Sequence, residues 1–285
     1  MAEELEIKLT LSSDAMDQAF KWLSGQPEAS LGNTGQLINR YYDTPAADLN
    51  RQRIALRVRQ AGDHYIQTLK TQGEFVDGAH RRQEWEWPLI GTQLNIGLIA
   101  DTPVGQDINL AKLEPVFETN FERRILMLDD GQAVIECALD QGSIIAREHR
   151  QPLNEVEFEL KSGDPSRLTV WATRLADQVS VFFNLVSKAE QGYHLAGIHE
   201  PAELGDEVDT TMRFFHDLSI AWLTDAPSKR LLDELQEVKP RAKCGGVLPA
   251  WRWLDESLSS GASLRSLVGN PLLGQLQAGL LNAKS

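Results

Sequence analysis

Charged and apolar residues alternate along five short segments of this chain. In residues 4–9, two glutamates and a lysine alternate with two leucines and an isoleucine, and the same alternation recurs at 56–59, 82–87, 135–140 and 155–160. Successive side chains of a β-strand point to opposite faces of the sheet. Each segment is therefore predicted to be a strand with one charged face and one apolar face.

Turn residues separate these segments from further predicted strands. Gly62-Asp63, Asp129-Asp130-Gly131 and Gln141-Gly142 are typical of hairpin turns, and the glycines and proline between residues 25 and 35 predict a loop. The strands are expected near residues 37–42, 54–60, 64–71, 81–89, 121–128, 132–140, 143–148 and 153–161.

Apolar residues at helical spacing predict helices after Ser12 and after Asp164-Pro165, both good helix starts. Beyond Pro201 the spacing is helical throughout, and the aromatic residues there are expected to form a core rather than a cofactor site. The fold class is therefore predicted to be α+β. Residues 1–200 form antiparallel strands covered by helices, and residues 201–285 form a small all-α region.

The charged strand faces allow two arrangements. They are either ordinary solvated faces or the lining of a tunnel whose apolar outer faces lie under helices. A solvated face would consist mostly of flexible lysine and glutamate, whereas these faces are rich in arginine and carry carboxylates clustered at spacing two. Charges removed from water cost several kcal/mol each unless they are paired or coordinated. Because arginine and lysine suit phosphate oxygens and carboxylates suit hard divalent cations, the tunnel arrangement predicts a metal–polyphosphate site.

Composition narrows the class of partner. The formal net charge of −13 argues against general nucleic-acid binding, and it requires bound cations to offset the carboxylates if phosphate binds among them. Cys137 and Cys244 are too few for a disulfide framework or a cysteine metal site. The chain has no apolar run long enough to span a bilayer and no basic-then-apolar leader. A cytoplasmic protein without a membrane partner is therefore expected.

Several short motifs occur in a fixed order over residues 1–197. They are Glu4-x-Glu6-x-Lys8, Tyr41-Tyr42-Asp43-Thr44, Leu56-Arg57-x-Arg59, Thr68-Leu69-Lys70, Arg82-x-Glu84, Ala138-Leu139-Asp140-x-Gly142, Glu155-x-Glu157-x-Glu159, Ser187-Lys188 and Gly192-Tyr193. In these motifs the chain resembles the CYTH superfamily, the triphosphate tunnel metalloenzymes. It is most similar to the bacterial inorganic triphosphatases that carry a helical CHAD domain after the tunnel domain.

The resemblance implies a closed eight-stranded antiparallel tunnel that binds a linear triphosphate and one or two divalent cations, Mg²⁺ or Mn²⁺. It implies that phosphate oxygens are bound by Lys8, Arg57, Arg59, Lys70, Arg82, Arg123 and Lys188. It implies that metal is held by Glu4, Glu6, Glu155, Glu157 and Glu159, with Glu84, Glu136 and Asp140 as further candidates. Glu157 or Glu159 is expected to activate the attacking water, with Lys188 as a further catalytic residue.

The region after residue 200 departs from this family pattern. It is much shorter than a complete CHAD domain, and His216 is its only histidine. It is therefore interpreted as a truncated CHAD-like companion that packs on the tunnel domain. The favoured function is hydrolysis of tripolyphosphate to diphosphate and phosphate. The alternatives are an adenylate cyclase, a thiamine or nucleoside triphosphatase, or a polyphosphate-binding protein without turnover, and the sequence leaves the oligomeric state open.

Overall fold

Antiparallel strands close into an eight-stranded barrel in the computed structural model, which describes residues 2–71, 73–76, 79–102, 104, 108–198, 204–205 and 207–283. The order around the barrel is β1-β9-β8-β7-β2-β3-β4-β6, with β6 returning to β1. The barrel strands are β1 (Ala2–Thr10), β2 (Ala29–Asp43), β3 (Ala55–Ala61), β4 (His64–Lys70), β6 (Ala79–Leu89), β7 (Glu114–Asp129), β8 (Ala133–Ala146) and β9 (His149–Gly163).

The first strand closes the barrel because it has two different partners. Residues 6–10 of β1 pair with β9, and residues 2–6 pair with β6. Two short strands extend the sheet outside the ring: β5 (Glu74–Val76) pairs with β6, and β10 (Phe182–Phe183) pairs with the end of β1. The predicted α+β class and the closed eight-stranded barrel are confirmed.

Two of the predicted breaks between strands are wrong. Gln141-Gly142 lies inside β8 and not in a turn, because Gly142 faces Phe121 of β7 so closely that a Cβ would lie 2.5 Å from the Phe121 Cα. The predicted loop between residues 25 and 35 ends early, because β2 begins at Ala29 and continues through a register shift between Leu31 and Thr34. A β-bulge of this kind absorbs residues that would otherwise break the pairing. The other two predicted turns, at Gly62 and Gly131, are present, each with a positive φ.

Helices cover one side of the barrel with a large apolar core. Helix α1 (Ser13–Ser24) begins where the Ser12 side chain accepts a hydrogen bond from the Ala15 amide, and α4 (Ser166–Ala176) follows Pro165. Their apolar faces bury the outer faces of β1, β8 and β9, including Ile7 and Phe158. Both predicted helices are therefore confirmed.

Short helices cover a second part of the outside of the barrel, and Asp43, the last residue of β2, anchors the first of them. Its fully buried carboxylate accepts amide hydrogen bonds from Thr44 at 2.7 Å, Leu49 at 2.9 Å and Asn50 at 2.9 Å, which anchors the short helix α2 (Asp48–Arg51). Helix α3 (Gly97–Ala100) follows β6, and a 3-10 turn spans Leu110–Lys112. Trp85 and Trp87 pack into this outer cluster, as the alternation along β6 predicts.

The C-terminal helices pack on the same core as α1 and α4. Phe183 of β10 lies 6.4 Å from Phe215 and Phe182 lies 6.2 Å from Trp222, measured between ring centroids. The domain boundary at residue 200 stays a prediction, although the two parts share one core. The helices after β10 are α5 (Lys188–Leu195), α6 (Thr210–Thr224), α7 (Lys229–Glu237), α8 (Lys239–Cys244), α9 (Leu248–Ser259), α10 (Leu264–Leu267) and α11 (Pro271–Asn282). None of the helices in the described residues is both long and apolar enough to cross a membrane.

Candidate functional site

The charged faces of the strands line the inside of the barrel. Their side chains surround a cavity of about 220 Å³. Of the predicted site residues, all except Asp140 and Glu155 line it, and these two are fully buried in ion pairs with Arg123 and Lys188. The lining residues among them are Glu4, Glu6, Lys8, Arg57, Arg59, Lys70, Arg82, Glu84, Arg123, Glu136, Glu157, Glu159 and Lys188.

The carboxylates of the lining all lie in one half of the barrel, together with the cations Lys8, Arg82 and Lys161. Among the described residues that line the cavity, every carboxylate belongs to the adjacent strands β6, β1, β9 and β8. The other four strands contribute only cations to the charged lining: Arg123 from β7, Arg57 and Arg59 from β3, and Lys70 from β4. Strands β3 and β9 lie four places apart in the ring of eight, so Arg57 and Arg59 of β3 face Glu157 and Glu159 of β9 across the lumen.

Glu4 and Glu6 of β1 form ion pairs with Arg82 of β6, and Glu4 also pairs with Lys70 of β4. Arg82 Nε lies 2.7 Å from Glu4 Oε2 and Arg82 Nη2 lies 2.8 Å from Glu6 Oε1, while Lys70 Nζ lies 2.8 Å from Glu4 Oε1. Burial alone would raise the pKa of Glu4, but Lys70 and Arg82 outweigh it and hold that pKa well below its usual range. Burial and the adjacent Glu4 raise the pKa of Glu6.

A second group of ion pairs fixes Lys188 at the start of α5. Its Nζ lies 2.5 Å from Glu155, 2.7 Å from Glu157 and 2.9 Å from Asp140. Arg123 completes the group with two hydrogen bonds to Asp140, at 2.7 and 2.6 Å, and one to Glu157 at 2.6 Å. Burial alone would lower the pKa of Lys188, but the three carboxylates raise it, so Lys188 stays charged. Asp140 and Glu155 therefore orient the two cations through buried ion pairs.

Arg57 and Arg59 lack such partners. Neither guanidinium forms an ion pair with a carboxylate of the described residues; Arg59 Nε donates to Asn39 at 2.8 Å, and Arg57 Nη1 lies 3.5 Å from the Tyr41 hydroxyl. The Arg57 Nε is buried without a hydrogen-bond partner in the described part of the chain. Burial, followed by the charges of Arg57 and Arg123, lowers the pKa of Arg59 to about 9. This wall therefore carries positive charge that the described residues leave unbalanced.

Lys8 is a third lumen cation whose hydrogen-bond donors are unsatisfied among the described residues. Its buried Nζ forms no hydrogen bond within the described chain, and its nearest ion-pair partner, Glu6 Oε1, is 3.7 Å away. In the β1–β9 register it stands beside Glu157. Buried donors are normally satisfied, so an ammonium without a hydrogen bond, in the same lumen as two guanidinium groups without ion pairs, indicates a site for an oxyanion.

Three carboxylates form a row across neighbouring strands. Glu159 of β9 is directly opposite Glu6 of β1 on one side and Glu136 of β8 on the other. Residues opposite one another on adjacent strands have Cβ atoms about 4.5–5.5 Å apart. Their hard oxygen donors suit Mg²⁺, Mn²⁺ or Ca²⁺.

The predicted metal ligands form ion pairs with lumen cations in this structure, and their role in metal binding stays a prediction. Among the described residues, no three acidic, histidine or cysteine side chains are arranged to hold a metal ion. The reason is that lumen cations occupy the carboxylates: Arg82 holds Glu6, and Lys161 Nζ lies 2.8 Å from Glu159 and 3.6 Å from Glu136. The residue types fit a divalent cation, and its entry requires these ion pairs to open.

The sequence interpretation gave no site role to Lys161, Glu86 or Tyr41, although the alternation along β6 put Glu86 on the charged face. Lys161 continues the two-residue spacing of Glu155, Glu157 and Glu159 by one step, so the same strand parity could have identified it. Glu86 lines the cavity beside Thr68, whose hydroxyl lies 3.4 Å from it. Tyr41 belongs to a motif that was recognised, but its place in the lumen follows only from the pairing of β2 with β3.

Arg123 and Arg124 separate as strand parity requires. Arg123 points into the lumen, whereas Arg124 lies outside with its guanidinium 4.6 Å from the centroid of the Phe20 ring. The choice of Arg123 as a lumen residue agrees with the structure, and its role in phosphate binding stays a prediction.

The fold is a closed antiparallel barrel whose lumen carries both paired and unpaired charges. The family model of the CYTH domain matches residues 2–193. The chain therefore belongs to the CYTH domain family. The match ends before the C-terminal helices, so their CHAD-like character stays a prediction.

Known proteins resemble this chain over its N-terminal two thirds. It is 37% identical over 202 residues to a Haemophilus influenzae protein named inorganic triphosphatase, and the aligned region covers 68% of this chain and 55% of that protein. The chain thus spans about half the length of that relative. A solved Hippeastrum structure, described as a candidate adenylyl cyclase with a dominant triphosphatase activity, is 18% identical over 67% of this chain and 95% of its own, with a TM-score of 0.49. A Pyrococcus horikoshii structure is 15% identical over 61% of this chain and 89% of its own, with a TM-score of 0.42.

Proposed function

We propose that this protein hydrolyses inorganic tripolyphosphate to diphosphate and phosphate inside the barrel, with a divalent cation as cofactor. The observation that carries the proposal is the division of the lumen into a purely basic half and an acidic half. A polyphosphate would satisfy Arg57 and Arg59, which have no ion pair among the described residues, and Lys8, whose Nζ has no hydrogen bond there. A divalent cation would satisfy the carboxylates that face the two arginines across the lumen. Pure anion binding would gain nothing from those carboxylates.

The size of the lumen supports a compact substrate. Its volume of about 220 Å³ is below the roughly 300–1,000 Å³ of pockets that bury drug-sized ligands. A linear triphosphate places its charges along the strand direction and leaves no organic group to accommodate. A nucleoside triphosphate would have to keep its base and sugar outside the lumen.

Positioning and charge stabilisation do most of the work in phosphoryl transfer. Arg57 and Arg59 bind phosphate oxygens without giving up an ion pair to a described residue, and Lys8 gives up a long 3.7 Å contact with Glu6, so these three are the first contacts of the entering anion. Arg123 and Lys188 are already oriented by Asp140, and they stabilise the charge that develops on the reacting phosphate. Each cation that turns toward phosphate leaves a carboxylate available for the metal.

A divalent cation would be held by Glu6, Glu136 and Glu159, with Glu4, Glu84 and Glu157 nearby, and it would neutralise charge on the phosphate oxygens. Glu159 is the better candidate for accepting a proton from the attacking water. Within the described part of the chain it forms an ion pair only with the partly exposed Lys161, whereas Glu157 pairs with both Arg123 and Lys188. Glu157 then acts mainly by orienting those two cations.

The proposal is tested by the relative rates on different triphosphates. Tripolyphosphate can pair both of its ends with lumen cations, whereas ATP loses contacts at the end that carries adenosine. Each lost charge-assisted hydrogen bond is worth roughly 1.5–3 kcal/mol, or about one to two decades in specificity. We expect the kcat/KM for tripolyphosphate to exceed that for ATP by at least about tenfold.

The assay measures phosphate release from tripolyphosphate, ATP and thiamine triphosphate with Mg²⁺, with Mn²⁺ and with a chelator. Equal or faster turnover of ATP, or cyclic AMP as the main product, would favour the adenylate cyclase or nucleoside triphosphatase alternative. Tight binding of tripolyphosphate without phosphate release would favour the binding protein.

Lys161 is expected to compete with the metal for Glu136 and Glu159. Lys161→Met removes that competitor, so Mn²⁺ should bind more tightly, by up to about fivefold, which corresponds to the roughly 1 kcal/mol limit for a partly exposed ion pair. Isothermal titration of Mn²⁺ into the protein without substrate measures the change. Lys112→Met on the exposed 3-10 turn is the matched control, because it makes the same change of charge away from the lumen. Unchanged or weaker Mn²⁺ binding in Lys161→Met would place the metal elsewhere.

A further inference from the structure

We infer that the C-terminal helices act as a clamp that positions Lys188 in the lumen, an inference that rests on the proposed function of that lumen. Among the described residues, none from α6–α11 lines the cavity. Their connection to the site runs through residues 182–188, which join β10 to the first residue of α5.

One side of this connecting segment is attached to β1. Phe182 and Phe183 pair with Thr10 and Leu9, and the amide of Asn184 donates to the Lys8 carbonyl at 3.1 Å. The Asn184 side chain also donates to the Thr10 hydroxyl at 2.9 Å. The barrel therefore fixes the segment along one edge, directly behind the strand that carries the lumen residues of β1.

The C-terminal helices hold the other side of the segment. The side chain of Gln277, on α11, accepts a hydrogen bond from the Phe183 amide at 2.9 Å and donates one to the Phe183 carbonyl at 2.9 Å. It thus pairs with the free edge of β10 as a further strand would. The hydroxyl of Ser219, on α6, accepts from the Leu185 amide at 3.0 Å. Gln277 and Ser219 are both fully buried, so water does not compete for these hydrogen bonds.

Only two residues separate the clamped Leu185 from Lys188. Ser187 ends the segment with a reciprocal cap, in which its amide donates to the Glu190 carboxylate at 2.8 Å and its hydroxyl accepts from the Glu190 amide at 3.2 Å. Lys188 then begins α5 with its Nζ 2.5–2.9 Å from three carboxylates. A displacement of about 1 Å at a catalytic group can cost about 100-fold in rate. Both sides of the clamp are therefore needed to keep Lys188 in place.

The test is a double-mutant cycle between the clamp and Lys188. Gln277→Leu removes both hydrogen bonds to Phe183 and is expected to lower kcat for tripolyphosphate about tenfold or more, with a smaller change in KM. In a Lys188→Met background the same Gln277→Leu change should have little further effect, because the residue that it positions is gone. A merely structural role would lower activity by the same factor in both backgrounds.

Two controls keep the test independent of folding. Gln236→Leu on α7 removes a side-chain hydrogen bond to Asp255 in the same helical region, and its kcat should equal that of the original protein. If Gln277→Leu does not fold, Ser219→Ala and Ser219→Thr carry the test, because only threonine keeps the hydroxyl and should preserve kcat.

The outcomes separate the clamp from the proposed function. If Lys188→Met lowers kcat while folded Gln277→Leu and Ser219→Ala retain full kcat, or if the effects multiply independently, the clamp is refuted and the function stands. If Lys188→Met retains full activity, the role proposed for Lys188 fails, and the clamp with it. If the protein binds tripolyphosphate without hydrolysing it, the proposed function fails, and the same cycle read on binding affinity decides the clamp.

Discussion

Replacing Arg57 by methionine is expected to weaken tripolyphosphate binding by about one to two orders of magnitude without destabilising the substrate-free protein. Arg57 has no carboxylate partner among the described residues, so its removal breaks no ion pair there. Each charge-assisted hydrogen bond that it gives to phosphate is worth roughly 1.5–3 kcal/mol. Its loss also relieves repulsion with Arg59 and Arg123, which can raise the melting temperature.

Titration calorimetry with tripolyphosphate and a thermal melt without ligand measure the two effects. Arg59→Met should change both quantities in the same direction, because its only described side-chain partner is the neutral Asn39. Arg150→Met on the exposed start of β9 is the control for the lost charge and should change neither. Unaltered phosphate binding in both lumen variants would mean that the basic half of the barrel is not the anion site.

The Glu6→Gln variant is expected to lose about 10²–10³-fold in metal-dependent turnover while it remains folded, as is Glu4→Gln. The amide keeps the shape of the side chain but loses the charge that holds a divalent cation. Glu6 stands at the end of the row that Glu159 and Glu136 continue across β9 and β8, so its loss removes one oxygen donor from that row. The rate should be measured at saturating metal, alongside a circular dichroism spectrum.

Glu148→Gln, at the exposed turn between β8 and β9, makes the same chemical change outside the lumen and should have full activity. Glu4→Gln should also loosen Lys70 and Arg82, which both bind Glu4. Its KM is therefore expected to rise more than that of Glu6→Gln. Full turnover in both lumen variants would contradict the assignment of β1 to the metal site.

The alternation of residue types predicted the lumen well because strand parity is a local property. It placed Glu4, Glu6 and Lys8 on one face, and it separated Arg123 from Arg124. Ion pairing between strands could not be predicted in the same way. The contacts of Arg82 with Glu4 and Glu6 depend on the pairing of β6 with β1, two strands that lie about 75 residues apart in the chain.

The errors have the same physical origin. Gly142 looks like a turn residue in the sequence, yet it serves the close approach of β7 to β8. Asp140 and Glu155 have the parity of lumen residues, but their ion pairs with Arg123 and Lys188 bury them and keep them out of the cavity lining. Gln277 carries no local signal at all, because its function depends on α11 reaching the edge of β10. Long-range packing, and not local propensity, decides each of these positions.

Phosphorus NMR of tripolyphosphate incubated with the protein and Mg²⁺ is the decisive test of metal-dependent hydrolysis in the lumen. We expect the tripolyphosphate signals to be replaced by those of diphosphate and phosphate in equal molar amounts. A chelator should stop the reaction, and added Mg²⁺ should restore it. Unchanged tripolyphosphate in the presence of folded protein and metal would show that the lumen does not hydrolyse it.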